Sequence, residues 1–299
     1  MTNILPFLKE LISAAGLSGH EAAVRPLIEK AWAPLTHELS TSRLGSLHGL
    51  RRGGGTEPRP SILLAAHMDA IGLMVTAVVD GYLRMTSVGG IDARVLPGQL
   101  VTVHGREDLP GVIVSPAGHL LPAHISNGVV PLEYLLVDTG RLPEEVTHLV
   151  RVGDLVSFAQ PPLETAGETL VGHTLDNRAS VAVVTACLEE LNKRPHAWDV
   201  WAVASVQEEV TLGGAFTSGF ALHPTLSVAI DVTFASGPGS PSHRTFPMGK
   251  GPTLIWGPNV HPALYKAFKE LAEKLEIPYS IETAPRHTGT DGFALQVVA

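Results

Sequence analysis

Three short apolar runs each finish on polar residues: SILLAAHMD (61–69), DVWAVASVQEE (199–209) and TLSVAIDVT (225–233). A brief apolar run bounded by turn signals and rich in small or β-branched residues reads as a buried strand, as in a parallel sheet. Around these runs the spacing turns helical. TLDNRASVAVVTACLEELNKR (174–194) reads as a helix with Thr174 or Asp176 placed to cap it. GGAFTSGFAL (213–222) reads as a short helix, HPALYKAFKELAEKLEI (261–277) as a strongly amphipathic one, and YSIETA (279–284) as a further strand. The first 35 residues read as helix broken by the turn GLSGHE at 16–21, and residues 41–60 as turn-rich and weakly strand-like. Strands alternating with helices imply an α/β domain, a mixed sheet flanked by helices.

Residues 70–168 interrupt that pattern. Short apolar segments (IGLMVTAVV, YLRMTSVGG, QLVTVHG, GVIVSP, DLVSFAQ) are cut by glycine and proline, and helical spacing is absent apart from a short turn near 143–146. Such spacing predicts a small all-β barrel or sandwich, and we take the barrel as the expectation. The expected organisation is therefore a discontinuous α/β domain over 1–69 and 169–299, with an inserted β domain over 70–168.

Bulk properties narrow the function classes. With 44% hydrophobic and 17% charged residues over 299 positions, the chain folds. A net charge of −8 disfavours nucleic acid and anionic membrane surfaces, which attract basic faces. Cys187 is the single cysteine, so no internal disulfide forms, and its setting (VAVVTACLEEL) reads as a buried helix face in a reducing compartment. No apolar run reaches the roughly 20 residues of a membrane helix. Lys9 and Glu10 inside the N-terminal apolar stretch mark an amphipathic helix rather than a signal peptide, so the expected location is cytoplasmic.

The strand ends carry the chemistry. SILLAAHMD delivers His67 and Asp69, DVWAVASVQEE delivers Glu208 and Glu209, TLSVAIDVT delivers Asp231, and a helix begins beside Asp176. In open α/β sheets, sites form beyond the carboxyl ends of strands. A single acid at a strand end is ordinarily a cap or a solvated turn residue. Several acids together repel and raise one another's pKa unless a cation neutralises them. His with Asp and Glu is a donor set suited to Zn²⁺, Co²⁺ or Mn²⁺. Positions 67 and 69 share a strand face, so Asp69 can orient the His67 ring. Of two adjacent glutamates at a strand end, one can bind a metal while the other takes a proton from the water it activates.

With these residues in hand, the sequence resembles the glutamyl-aminopeptidase-like family of dinuclear metallopeptidases, which includes the tetrahedral aminopeptidases and members labelled endoglucanases. The resemblance runs through GLSGHE, LLAAHMDAIGLMV, SVGGIDARVLPGQLVTVHG, VRVGDLVSF, LDNRAS, VQEEVTLGGA, AIDVT, GKGP and RHTGTDGFALQ, in order along nearly the whole chain. It implies a metal-dependent aminopeptidase that removes N-terminal residues from short peptides. It implies His67 and Asp231 on one metal, Asp176 bridging two metals, Glu209 on the other, Glu208 as general base and Asp69 as the carboxylate orienting His67. Two divalent ions, zinc or cobalt, are the implied cofactors. The inserted domain matches the family's assembly domain, and family members form dimers that build a hollow dodecamer.

One departure stands out. The family's second metal takes a histidine beyond the GTD motif, and no residue after Asp291 matches it, so the expectation is a chain short of its closing strand and helix, or an impaired second site. Thr211 stands where the family commonly has glycine. His173, His243, His261 and His287 read as surface or loop residues, and Asp291 as the cap of the following helix. Two other function classes remain in view: a glycoside hydrolase, which needs two carboxylates facing each other across a sugar, and a non-catalytic peptide-binding or assembly protein.

Overall fold

The computed structural model describes residues 3–125, 128–241 and 244–298, so His243 lies outside the described residues. Two helices open the chain, α1 (Leu5–Ser13) and α2 (Arg25–Trp32), each with a proline in its first turn, where a missing N–H costs nothing. A 3-10 turn at Glu21–Ala23 lies between them. Next come β1 (Glu38–Thr41), β2 (Leu47–Arg51) and β3 (Ser61–His67).

β4 (Gly72–Val79), β5 (Tyr82–Val88), β6 (Leu100–His104), β7 (Asp108–Val114), β8 (Leu136–Asp138) and β9 (Leu155–Phe158) close a six-stranded antiparallel barrel. Helix α3 (Pro143–Leu149) plugs against it and is longer than the turn expected there. A hairpin, β10 (Leu163–Thr165) and β11 (Thr169–Val171), leads back. The chain continues through α4 (Leu175–Asn192), β12 (Asp199–Ser205), α5 (Glu208–Thr211), α6 (Gly213–Leu222) and β13 (Leu226–Ala229). It ends with β14 (Thr253–Trp256), α7 (Pro262–Lys274), β15 (Ser280–Thr283) and α8 (Asp291–Val298).

The main sheet has the order β1-β2-β12-β3-β13, with β3 parallel to both β12 and β13 and β2 antiparallel to β12. This is the expected mixed sheet with an inserted all-β barrel. The stretch 41–60 is more regular than its sequence suggests. β2 is buried along almost its full length because β1 and β12 flank it and α2 lies across it. Its Gly49 leaves no room for a side chain, since a Cβ there would sit 2.9 Å from Thr36 and 3.3 Å from Trp32.

Three apolar clusters hold these layers. On one face of the sheet, α1, α2 and α4 bring Leu11, Ile28, Trp32, Val184 and Leu188 together, all fully buried. Each such aliphatic side chain contributes about 1.5–3 kcal/mol by leaving water. Trp32 Nε1 donates to Thr185 Oγ1 at 2.8 Å, so the largest buried ring loses no hydrogen bond. The opposite face carries α6 and α8, whose Ala215 and Leu295 pack with Leu63 and Val203 of the sheet. The barrel has its own core around Leu73, Leu83, Val103, Ile113 and Val156. Cys187 is free and half-buried on α4, and burial pushes its thiol pKa up.

The expected cap of α4 is not formed. Thr174 donates its hydroxyl to the Ile12 carbonyl at 3.0 Å instead, tying α4 to α1. Asp176 and Asn177 have non-helical backbone angles, so the regular helix starts after them and Asp176 projects from a kinked entry.

Candidate metal centre

The parallel pairing of β3, β12 and β13 brings three strand ends to one edge. Register sets Ser205 beside His67 and Ala229 beside Ala65. The pairing runs past the strands: Met68 N–H donates to Ser205 O at 2.9 Å and Ile230 N–H to Ala65 O at 2.8 Å. Asn177 donates its amide to Ile230 O at 2.8 Å, which locks the entry of α4 beside the turn carrying Asp231.

His67 stands at the centre, 1% exposed. Its Nε2 faces three carboxylates: Asp176 at 3.2 Å, Glu208 at 3.6 Å and Asp231 at 4.0 Å. Asp69, fully buried, approaches its Nδ1 at 3.5 Å, the placement expected of an orienting carboxylate. Asp69 has a second task that sequence did not reveal. Its two oxygens accept the backbone N–H groups of Glu208 (3.0 Å) and Glu209 (3.2 Å). The two glutamates therefore do not diverge along a strand. β12 stops at Ser205, and the pair opens the short helix α5, pinned by Asp69 at its first two amides.

Two overlapping sets of donor atoms result. His67, Glu208 and Asp231 form one, and His67, Asp176 and Glu209 the other, each with its atoms within 4.8 Å of one another. All five sequence-derived candidates, with Asp69 behind them, thus meet at one edge. The geometry groups Glu208 with His67 and Asp231 and does not by itself separate a base from the ligands.

Electrostatics mark the edge as short of positive charge. Burial, then Asp231, Asp291 and Glu209 around it, pushes the Glu208 carboxyl up to about 8, against a lowering effect of His67. Burial first, and Asp176, Asp69 and Asp231 after it, push Glu209 up to about 7. Burial, with Asp176 and Asp291, pushes Asp231 up to about 6. Burial alone would lower His67, yet hydrogen bonds and charge from Asp176, Asp69 and Glu208 raise it well above an ordinary histidine. Among the described residues the buried His67 Nδ1 makes no hydrogen bond of full geometry; the Asp69 carboxylate faces it at 3.5 Å. One imidazolium cannot neutralise this many buried acids, and oxygen and imidazole donors converging at this spacing fit a divalent cation.

Arg178 supports the edge from below. Fully buried, it donates to Met68 O (3.0 Å), Leu11 O (2.6 Å), Ala14 O (2.5 Å) and Gly16 O (3.3 Å). It fixes the peptide between His67 and Asp69 to the end of α1. Desolvation lowers its pKa to about 10, with Asp69 and Glu21 opposing, so it remains charged at neutral pH. From the barrel side, Gly89 abuts the site: a Cβ there would stand 2.6 Å from Ile71 and 3.5 Å from the Cβ of Glu209, and its φ is +78°.

Asp291 corrects an expectation. It is 3% exposed, and its carboxylate accepts the Ser205 hydroxyl at the end of β12 rather than capping α8. Burial pushes it up to about 6. No spacing in the sequence announced this, because it depends on α8 packing back on β3 and β13. His173 is also less bland than expected: it is half-buried with its ring 5.9 Å from Phe158, and burial lowers its pKa. His261 and His287 are exposed, and His287 stacks on Phe293 at 4.8 Å.

The sequence model of the M42 glutamyl aminopeptidase family matches residues 45–299. A lysyl aminopeptidase of Pyrococcus furiosus is 31% identical over 97% of this chain and 84% of its own length. The crystal structure of a TET aminopeptidase from a marine sediment thaumarchaeon superposes with a TM-score of 0.90 at 28% identity, covering 97% of this chain and 84% of that one. The Pyrococcus horikoshii TET1 peptidase, described as assembling into a tetrahedron or a large octahedral shell, superposes with a TM-score of 0.83 at 28% identity over 99% of this chain and 88% of that one. With His67, its carboxylates and the mixed sheet bearing them already in place, this match leaves one conclusion: the chain belongs to the M42 glutamyl aminopeptidase family, and is an aminopeptidase, a hydrolase of peptide bonds.

Proposed function

We propose that the chain removes N-terminal residues from short peptides with the help of two divalent metal ions, zinc or cobalt. One observation carries this reading: two donor sets share His67 at the carboxyl edge of three parallel strands in an M42 chain. His67 and Asp231 would hold one ion, Glu209 the other, and Asp176, half-exposed and 3.2 Å from His67, would serve both. When bound, the ions supply Lewis acidity toward water and the scissile carbonyl.

The chain's own residues do the rest. Glu208 takes a proton from the attacking water and returns it to the departing amine as the peptide bond breaks. Without metal, burial and the neighbouring acids push its pKa up, and a bound cation would bring it back toward the ionised form that a base needs. Asp69 keeps the His67 ring in place and fixes the backbone that presents Glu208. Asp92, on the barrel loop after Gly89, is held by the neighbouring Arg94 at about 2 and so stays ionised.

The division into a catalytic domain (1–69 and 169–299) and an inserted assembly domain (70–168) belongs to this proposal. It is supported by the separate core of the barrel and by exposed Val95, Leu120 and Val129 around it. The shells and the dodecamer described for TET1 support a homo-oligomer, which we take to be a dimer building to a dodecamer. A hollow assembly would restrict substrates to unfolded peptides. No described helix is long and apolar enough to cross a membrane, and we place the enzyme in the cytoplasm. The glycoside-hydrolase reading loses support, because within each donor set the carboxylate oxygens lie within 4.8 Å of one another and share His67, an arrangement suited to a cation, and the matched family is one of aminopeptidases.

The test compares an aminoacyl anilide with its N-acetylated form. The free-amine substrate should be cleaved in Co²⁺ or Zn²⁺, spared after chelation and cleaved again on reloading, with the blocked form inert throughout. Cleavage of both forms, or activity that survives chelation, would refute the proposal.

A further inference from the structure

Glu208 begins right after a backbone irregularity. Gln207 has φ +57° and Leu212 φ +56°, so the four-residue helix α5 is bracketed by two non-glycine residues in the left-handed region. Each costs about 1 kcal/mol or more and persists only where the surroundings over-determine it. At the Glu208 end, three successive amides are claimed by buried carboxylates. Asp69 takes those of Glu208 and Glu209. Glu21 takes that of Gln207 at 3.2 Å through Oε1, the same atom that accepts Gly19 N–H at 2.7 Å.

Glu21 sits in the 3-10 turn between α1 and α2, 6% exposed and 186 positions from Gln207 in sequence. It belongs to neither donor set around His67. A carboxylate serving only its own turn would need the Gly19 bond alone, and the bond to Gln207 ties two remote segments together. The loop that carries Glu21 is itself anchored. Ser18 N–H donates to Ala70 O at 3.1 Å, and Arg178 holds the carbonyls of Ala14 and Gly16.

We propose that Glu21 is a positioning residue that holds Gln207 in its left-handed conformation, and thereby aims the Glu208 carboxylate, through the reach of its hydrogen bond rather than through its charge. This rests on the aminopeptidase reading with Glu208 as base. Glutamine at position 21 keeps an oxygen at the same reach and can still accept both amides. Aspartate keeps the charge but is one methylene shorter and cannot span to Gln207.

Two readouts test it on the full-length protein. In the first, kcat and KM for an aminoacyl anilide are measured with Co²⁺ for wild type, Glu21→Gln and Glu21→Asp, with metal content measured alongside. The expected result is kcat within about threefold of wild type for Glu21→Gln, and a fall of about 10–100-fold for Glu21→Asp at unchanged KM and metal content, the scale of a misplacement near 1 Å. In the second, hydrogen exchange of the 205–212 segment should quicken about tenfold in Glu21→Asp and stay near wild type in Glu21→Gln, whether or not the protein turns over. Damage in Glu21→Gln with Glu21→Asp spared would assign the effect to charge, and equal damage by both would show that reach alone does not carry it; either result would overturn the proposal. So would unchanged exchange in Glu21→Asp, or a kcat loss that merely follows metal loss. A wild-type protein inactive on the anilide would sink the aminopeptidase reading, and the exchange comparison would still decide what Glu21 does.

Discussion

Two histidines of this chain sit among acids, His67 at the end of β3 and His104 at the end of β6, and they differ in what is left over. His104 is in balance. Its Nδ1 meets Asp108 at 2.8 Å and its Nε2 meets the Ser157 hydroxyl at 2.8 Å, with Asp108 open to water. His67 is out of balance: three carboxylates crowd its Nε2, a fourth flanks its Nδ1, and three of the acids around it are pushed up in pKa by burial. Similar residue types thus give a fastener between barrel strands in one place and a cation-seeking edge in the other. The excess of buried negative charge, and not the presence of a His–Asp pair, is what marks a site.

The sharpest way to break this comparison is to delete each imidazole in turn. His67→Ala should lower anilide turnover by about three orders of magnitude, the scale of losing both an activated water and its placement. His104→Ala should leave turnover within about twofold of wild type, since no step uses it. Comparable losses from both would erase the distinction.

A smaller effect comes from pH. In the metal-free protein Glu208 stands at about 8, Glu209 at about 7 and Asp231 at about 6, above their ordinary values of 4.5, 4.5 and 3.8. Between the ordinary and raised values, the folded chain holds protons that the unfolded chain has already released. Stability of the metal-free protein therefore falls as pH rises from about 4 to about 8. His67, whose raised pKa favours the folded state at low pH, acts in the same direction. Added Zn²⁺ or Co²⁺ should raise the melting temperature more at pH 8 than at pH 5.5, with about 2.7 kcal/mol of stabilisation at a hundredfold excess over Kd. Calorimetry on chelated and reloaded protein measures it. An equal rise at both pH values would count against a cation binding to these acids.

Asp69→Asn should cost about 10–100-fold in activity, because one amide oxygen cannot replace two carboxylate oxygens that serve His67, Glu208 and Glu209 together. Ser157→Ala should cost about 1 kcal/mol of stability through its lost hydrogen bond to His104, with kinetics unchanged. A kinetic effect of Ser157→Ala would show that the barrel fastener is coupled to the site.

Much of the site was legible because its members sit where strand ends announce them. His67, Asp176, Glu208, Glu209 and Asp231 each follow or precede a readable apolar run, and the parallel register then superimposes those ends. What was not legible depends on packing between distant segments. Asp69 reaches the Glu208 and Glu209 amides only because the β3–β12 register continues one residue beyond the strands. Asp291 joins Ser205 only because α8 packs back on β3 and β13. Thr174 gave up its capping role to a carbonyl on α1 that nothing local could foretell. The β1–β2 hairpin read weakly for the same reason: the neighbour that buries β2 is β12, some 150 residues on. GLSGHE placed Glu21 in a turn without giving it a task, and only the bond to Gln207 supplies one.

The most direct measurement of the central claim is turnover by Glu208→Gln protein loaded with Co²⁺. If Glu208 moves the proton, this variant should bind metal and fall in kcat by about 10²–10⁴-fold, the range that a general base contributes. Turnover close to that of wild type at full metal loading would contradict the account.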